Sequence, residues 1–437
     1  MNMRRDLLLY PCALAICVLS LCTARPVRAE NLLEVYAQAR AADPLLALAD
    51  AQRGVQQEVA AQIRAGLLPQ WSVNATESSA SATGLRSNQV VSNVSQALVD
   101  LSLFQRVRAA HTLTSAQEAK LRAAEQDLCA RVASAYFGVL SAQAALTTAQ
   151  ANEDAFAQQV DQAEKRFASG LSAMIDVEQA RTYHALSRGT TVQAQAALRD
   201  AREALTQITG RTAGNLQTLS LQLQPTPPAP QDAAAWVAQA LQNNPALKAQ
   251  QLQVEASEQA IGAARSGHLP TVGLALDSQR LGGEGYAIAE TGRFNNTLAV
   301  RITVPLFAGG ATRAQTRQAV FQRDAAQQSL ELAKRALVRE TQAQYQAVLS
   351  GMALIESTGA AVAASDRALA ATRAGQALGT RGMTDLLLAI QSQASAQSAL
   401  AQARHRYVLA TLLLQQASGT LNESALANVN QLLQGNS

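Results

Sequence analysis

The chain has 437 residues, of which 48% are hydrophobic but only 4% aromatic, and a formal net charge of +4. Most of that charge (Arg4, Arg5, Arg25 and Arg28 against Asp6) and three of the four cysteines (Cys12, Cys17, Cys22) fall in the first 29 residues. The near-neutral remainder gives no charge argument for nucleic acid, and Cys129 alone cannot form an internal disulfide. The shortage of aromatics favours closely packed long helices over a bulky globular core.

Residues 1–29 read as a secretory signal peptide. Arg4 and Arg5 precede an apolar run that ends near Cys22, and the small-residue site Val27-Arg28-Ala29 predicts cleavage after Ala29. The run is shorter than the roughly 20 residues a membrane span needs and contains Pro11. Lipidation at Cys22 is the alternative, although Leu21 is larger than the small residue such a site prefers.

A helix is expected over about 45–68, stopped by Gly66 and Pro69, and strands over about 71–82 and 89–100. The next stretch, about 103–169, contains no proline and one glycine, Gly138. Its apolar positions (Leu128, Val132, Ala135, Val139, Ala142 and Leu146 among them) alternate three and four apart, a heptad pattern that predicts a coiled-coil rod roughly 100 Å long. A break, "FASGLSAMIDVEQA" at 167–180, leads into a second helix over about 173–209. The two shorter helices together nearly match the long one and could lie antiparallel beside it, stacked end to end.

The plan is then repeated. "YAQARAADPLLALADAQ" from Tyr36 aligns with "VAQALQNNPALKAQQLQ" from Val237, 201 residues later, while Gly170, Met174 and Asp176 align with Gly379, Met383 and Asp385 at a spacing of 209. The chain therefore divides into a signal (1–29), a first repeat (30–222), a Pro-rich linker (223–232) and a second repeat (233–437). The second repeat is expected to hold strands at about 271–281 and 295–307 and helices at about 246–268, 312–378 and 382–418. "NNTLAVRITVPLF" alternates strictly, with Leu298, Val300, Ile302, Val304 and Leu306 on one face. That pattern suits a half-buried soluble sheet or a lipid-facing barrel wall. Four strands cannot close a barrel, so a membrane role requires several copies. His111, His184, His268 and His405 are scattered without ligand spacing and read as helix-surface residues; no phosphate loop or nucleophile elbow appears, so neither catalysis nor a metal or other cofactor is expected.

The signal, the duplicated helix–hairpin–helix plan, "VPLFAGG" (304–310) and the two G-x-x-x-M-x-D turns together resemble the TolC family of outer-membrane channel proteins. The resemblance spans essentially the whole mature chain. It implies a mainly α fold with a small membrane β-barrel: a homotrimer with a twelve-stranded barrel in outer-membrane lipid and a long α-helical coiled-coil barrel across the periplasm. It implies an exit duct for type I protein secretion or small-molecule efflux, served by a periplasmic adaptor protein and an inner-membrane transporter. The tips (Gly170, Leu171, Ser172 and Gly379, Thr380, Arg381) would dock the adaptor. Asp176 and Arg381 match positions that link the closed entrance, and Gln376 stands where a tyrosine shares those links. Asp385 matches one of two acidic positions that ring the pore constriction, and Leu388 replaces the other, which implies at most one carboxylate ring and a weaker lock. Ala97 and Val99 stand where the second copy has Pro305 and Phe307. From position alone, Asp176 and Asp385 also suit helix N-terminal capping. A soluble periplasmic coiled-coil scaffold is the competing reading; it explains the heptads but not two alternating hairpins at matched positions.

Overall fold

A computed structural model describes residues 29–434, apart from residues 83, 221–222, 285 and 287–291. The predicted signal peptide, Ala29 excepted, and part of the loop after 283 lie outside the described residues.

Each repeat begins with a short helix, α1 (Leu32–Ala42) or α5 (Ala233–Asn243), that sequence reading left out. One residue then closes that helix and caps the next. Asp43 accepts from Leu46 N at 2.9 Å to start α2 (Pro44–Ala65), and Asn244 accepts from Leu247 N at 3.0 Å to start α6 (Pro245–Arg265). Both junctions carry proline at the first helical position, where its missing N–H costs nothing and its extended predecessor forces a bend.

The strands β1 (Gln70–Ser79), β2 (Arg86–Val99), β4 (Thr271–Gly283) and β5 (Phe294–Thr303) form one antiparallel sheet in the order β1-β2-β4-β5. The two hairpins meet through β2 and β4, with Val94 opposite Leu276 and a register shift between Ala97 and Val99. β5 ends at Thr303, so Val304, Pro305, Leu306 and Phe307 stand outside the sheet, Pro305 having no N–H to offer a ladder. β4 is three residues longer than β1, and the shift in repeat spacing arises within this second hairpin.

Asp100 caps the rod α3 (Leu101–Ala168) through Leu103 N at 3.0 Å; its counterpart α7 (Ala311–Ala377) is one residue shorter. Each turns back into a helix of about half its length, α4 (Met174–Thr209) or α8 (Met383–Ala417). Both α2 and α4 pack on α3, as α6 and α8 pack on α7, and α3 also touches α6 and α8. The heptad reading matches the burial: Leu128, Val132, Val139, Leu146, Phe156 and Ala163 are all buried, although Phe167 is exposed.

A collar surrounds the middle of the rods. It is built from α1, α5, α9 (Glu423–Asn430) and the short pair β3 (Thr218–Leu219) and β6 (Leu433–Gln434). The larger core lies there, with Tyr136, Phe137, Leu205, Leu412 and Leu426 almost fully buried. Three polar anchors hold the collar to the rods. Arg131 makes a bidentate pair with buried Asp43 at 2.8 and 3.0 Å, the Tyr136 hydroxyl lies 2.9 Å from Gln217 O and 3.1 Å from Glu30 O, and the Tyr407 hydroxyl bonds both N and O of Thr226 in the Pro-rich linker. Cys129 is buried and free.

His405 departs from the surface placement expected for it. It is buried beside Phe137, with Nδ1 2.9 Å from Ser141 Oγ, because the collar covers this stretch of α8.

Burial, reinforced by the neighbouring Arg404 charge, lowers the His405 pKa from 6.5 to about 4. The Arg131 guanidinium holds the Asp43 carboxyl below its usual range. As pH falls from 6.5 to about 4, the unfolded chain takes up a proton at His405 that the folded chain refuses, so stability drops there, by an amount of order 3 kcal/mol. The Asp43 contribution is fully present above its unfolded value of about 4 and is lost as pH falls further. Thermal unfolding in detergent between pH 7 and 4 is therefore expected to show a falling midpoint that His405→Gln flattens, whereas an unchanged pH slope in that variant contradicts the assignment.

Candidate functional site

The site is the end of the molecule farthest along the rods from the sheet, where the two hairpins α3/α4 and α7/α8 turn. Both turns close identically. Gly170 and Gly379 each have φ of +73°, a left-handed conformation that a Cβ disfavours. Leu171 N donates to Arg166 O and Thr380 N to Gly375 O, both at 2.8 Å, while Gly170 N and Gly379 N reach Phe167 O and Gln376 O. This is the Schellman closure, and it explains why the glycine recurs in both repeats.

The return helices start alike. Asp176 accepts from Ala173 N at 3.3 Å, and Asp385 accepts from Gly382 N at 3.4 Å, so each carboxylate sits at the third helical position and satisfies an N-terminal backbone donor. The capping role proposed from position is thus made by both residues.

Behind the turns a second apolar core joins all four helices: Phe156 and Ala163 from α3, Val177 and Ala180 from α4, Leu369 from α7, and Met383, Leu386, Leu387 and Ile390 from α8. Polar bridges flank it. Arg181 on α4 reaches Glu164 on α3 at 2.7 Å, Gln393 on α8 reaches Asp366 on α7 at 2.7 Å, and the Thr384 hydroxyl on α8 donates to Gln179 on α4 at 2.7 Å. The last bond ties one hairpin to the other. Sequence reasoning missed all three, because long-range partners leave no local period.

Arg381 lays its stem over Gly375 and brings Nη1 to 3.8 Å from Asp385, a loose i,i+4 contact between exposed groups worth less than about 1 kcal/mol. Within the chain it is paired with Asp385 and not with Asp176. Gln376 Nε2 lies 3.6 Å from Met383 Sδ, holding the start of α8 against the end of α7. Thr380 donates its hydroxyl to Gly375 O, and the Ser172 hydroxyl is buried without a partner. Leu171 is 71% exposed, Leu378 80% and Leu388 50%. Leu388 follows Asp385 by three positions and shares its helix face, whereas Leu387 is fully buried. The end of the molecule thus sets exposed leucines beside exposed charged groups, over a packed apolar base.

At the opposite end, Trp71, Leu298, Val300 and Ile302 are exposed on one face of the sheet, and register aligns Trp71, Val94, Leu276 and Leu298 across all four strands. The other face carries Asn93 hydrogen-bonded to Asp277, together with Thr297 and Arg301. No cluster of three metal-ligating side chains occurs among the described residues.

The model of the family "Outer membrane efflux protein" matches residues 35–211 and 236–420, one match per repeat. The outer membrane protein TolC of Vibrio cholerae is 33% identical over 419 residues, covering 92% of this chain and 94% of that one. The proteases secretion protein PrtF of Dickeya chrysanthemi is 27% identical, covering 91% and 89%. Among solved structures, the CmeC outer membrane channel of Campylobacter jejuni superposes with a TM-score of 0.79 at 17% identity, covering 92% of this chain and 89% of that one, a likeness of fold.

Two adjacent leucines test the packing of the tip. Leu387→Ala empties a fully buried position and is expected to cost about 3 kcal/mol, while Leu388→Ala should stay within about 0.5 kcal/mol. Hydrogen exchange of the α8 amides reads the difference; equal protection in the two variants contradicts the assigned orientation of α8.

Proposed function

The chain belongs to the family of outer membrane efflux proteins, and from that premise we propose that three copies of it assemble into one gated channel. The protein is an outer-membrane exit duct for type I secretion or efflux that reaches into the periplasm. The observation that carries assembly between copies is the open sheet: four strands, an apolar face and two unpaired edges, β1 and β5. Lipid tolerates no free backbone edge, and three copies supply twelve strands, enough to close a barrel. Each strand joins a helix directly or through a short connection, so closing the sheet also gathers the helices into a tube.

In this assembly six hairpin tips surround one axis. The exposed Leu171 and Leu378, with Ser172, Gly170, Gly379, Thr380 and Arg381, offer the surface on which a periplasmic adaptor docks, and an inner-membrane transporter supplies cargo and energy. The chain itself catalyses nothing. Asp176 and Arg381 belong to different hairpins and are unpaired with each other inside one chain, so their link joins neighbouring copies, with Gln376 beside it. Such a contact is weak singly, but threefold repetition makes a releasable latch. Asp385 projects one carboxylate per copy toward the axis, and Leu388, on the same face, makes the next ring apolar.

Planar-bilayer recording tests the gate. Arg381→Ala and Asp176→Ala should each raise the resting conductance severalfold, and an unchanged resting state in both variants removes the latch. Asp385→Ala should weaken block by a multivalent cation about tenfold, whereas Leu388→Asp, which adds a second carboxylate ring, should strengthen it by a similar factor. Block that is indifferent to both substitutions takes these residues out of the constriction.

A further inference from the structure

Under the collar lies a half-enclosed cavity of about 680 Å³, bounded by residues 139–148 of α3, Arg202 of α4, Ala401, Arg404 and His405 of α8, and the segment 214–219 that contains β3. The channel reading gives it no task. Two of its walls carry guanidinium groups, and neither Arg202 nor Arg404 has a carboxylate within ion-pair distance among the described residues. The Nε atoms of both are buried and lack any hydrogen-bond partner. The one bond that Arg202 makes is long, Nη2 to Gln143 Oε1 at 3.5 Å. Arginine is the most consistently charged side chain and is seldom drawn into the fold without an acidic partner, so two part-buried guanidinium groups on one cavity, neither with a carboxylate beside it, leave uncompensated positive charge there.

The remaining charges around the cavity do not cancel these two. The Glu30 carboxylate lies beside Gly214 at the rim, about 3.6 Å from where a Cβ would stand there, and supplies a single negative charge. His405 stays neutral at periplasmic pH, since burial and the Arg404 charge both oppose its protonation. The rest of the wall combines apolar side chains (Val139, Leu140, Leu216 and Leu219) with the neutral polar groups of Gln143, Thr147, Thr148 and Asn215. Cleavage after Ala29 would remove one lining residue and leave the Glu30 nitrogen on Asn215 O, where it already bonds at 2.7 Å.

We propose that this collar cavity binds a small organic anion, its carboxylate or phosphate group held between Arg202 and Arg404 and its apolar body lying against Val139, Leu140 and Leu216. The volume suits a ligand of drug-like or metabolite size, and a wall that mixes apolar and polar groups suits a ligand with one charged end and one apolar body. The site lies midway along the rods, away from both the tips and the sheet, and does not depend on the channel mechanism proposed above.

Isothermal titration of the mature protein in a neutral detergent tests it, with phenyl phosphate, benzoate, inorganic phosphate and benzyl alcohol as probes. Phenyl phosphate or benzoate should bind once per chain with a dissociation constant below about 1 mM, inorganic phosphate at least about tenfold more weakly, and benzyl alcohol not measurably. Arg202→Gln and Arg404→Gln should each weaken phenyl phosphate at least about tenfold with the circular-dichroism melt unchanged, while Arg317→Gln, far along α7, should not. Hydrogen exchange on the unmodified protein needs no variant, and phenyl phosphate should slow exchange across 214–219. Absence of saturable binding, equal binding of benzyl alcohol, or unaltered binding in the folded double variant overturns the site and leaves a hydrated cavity.

Discussion

The two unpaired edges of the four-stranded sheet constrain everything else in this molecule. β1 and β5 each present a row of backbone donors and acceptors, and the face between them exposes Trp71, Leu298, Val300 and Ile302. In water such a surface invites aggregation; in lipid its free edges are forbidden. Only pairing with further copies meets both demands. Since α2 enters β1 and β2 leads into α3, and the second repeat does likewise, the same pairing sets the rods side by side. A single chain is consequently an incomplete structure, which is why so many of its large apolar side chains remain exposed.

Duplication supplies the scaffold and divergence supplies the mechanism. The two tips share a left-handed glycine, a Schellman closure and an aspartate on the first turn, because a sharp reversal between antiparallel helices needs all three. Beyond that they differ. The first carries Ile175 and Asp176, the second Arg381, Asp385 and Leu388, and the Thr384–Gln179 bond ties them together. The base beneath is tightly packed, with Leu386 and Leu387 almost fully buried, whereas the Arg381–Asp385 contact at the surface is exposed and weak. That combination suits the docking role proposed for the tips, which must hold a partner and then release it.

Much of the architecture is legible in local pattern. Heptads mark the rods, strict alternation marks β5, and the matched G-x-x-x-M-x-D turns mark the tips, since each depends on residues within a turn or two of one another. The collar is different. α1 and α5 are too short for a period to stand out, and the two-residue pairing of β3 with β6 joins segments more than 200 residues apart. His405 falls within a long helix whose covered face is decided by that collar, so nothing in its sequence neighbourhood separates it from surface histidines. The same holds for the Asp43–Arg131 pair: Asp43 caps α2 locally, but its second role needs a partner 88 positions away.

The most direct test of the account is the stoichiometry of the protein released from outer membranes, read by native mass spectrometry in a gentle detergent. The proposed trimer predicts particles of three chains, without appreciable monomer. A population of stable monomers or dimers, or recovery of the protein in the soluble periplasmic fraction, would contradict it.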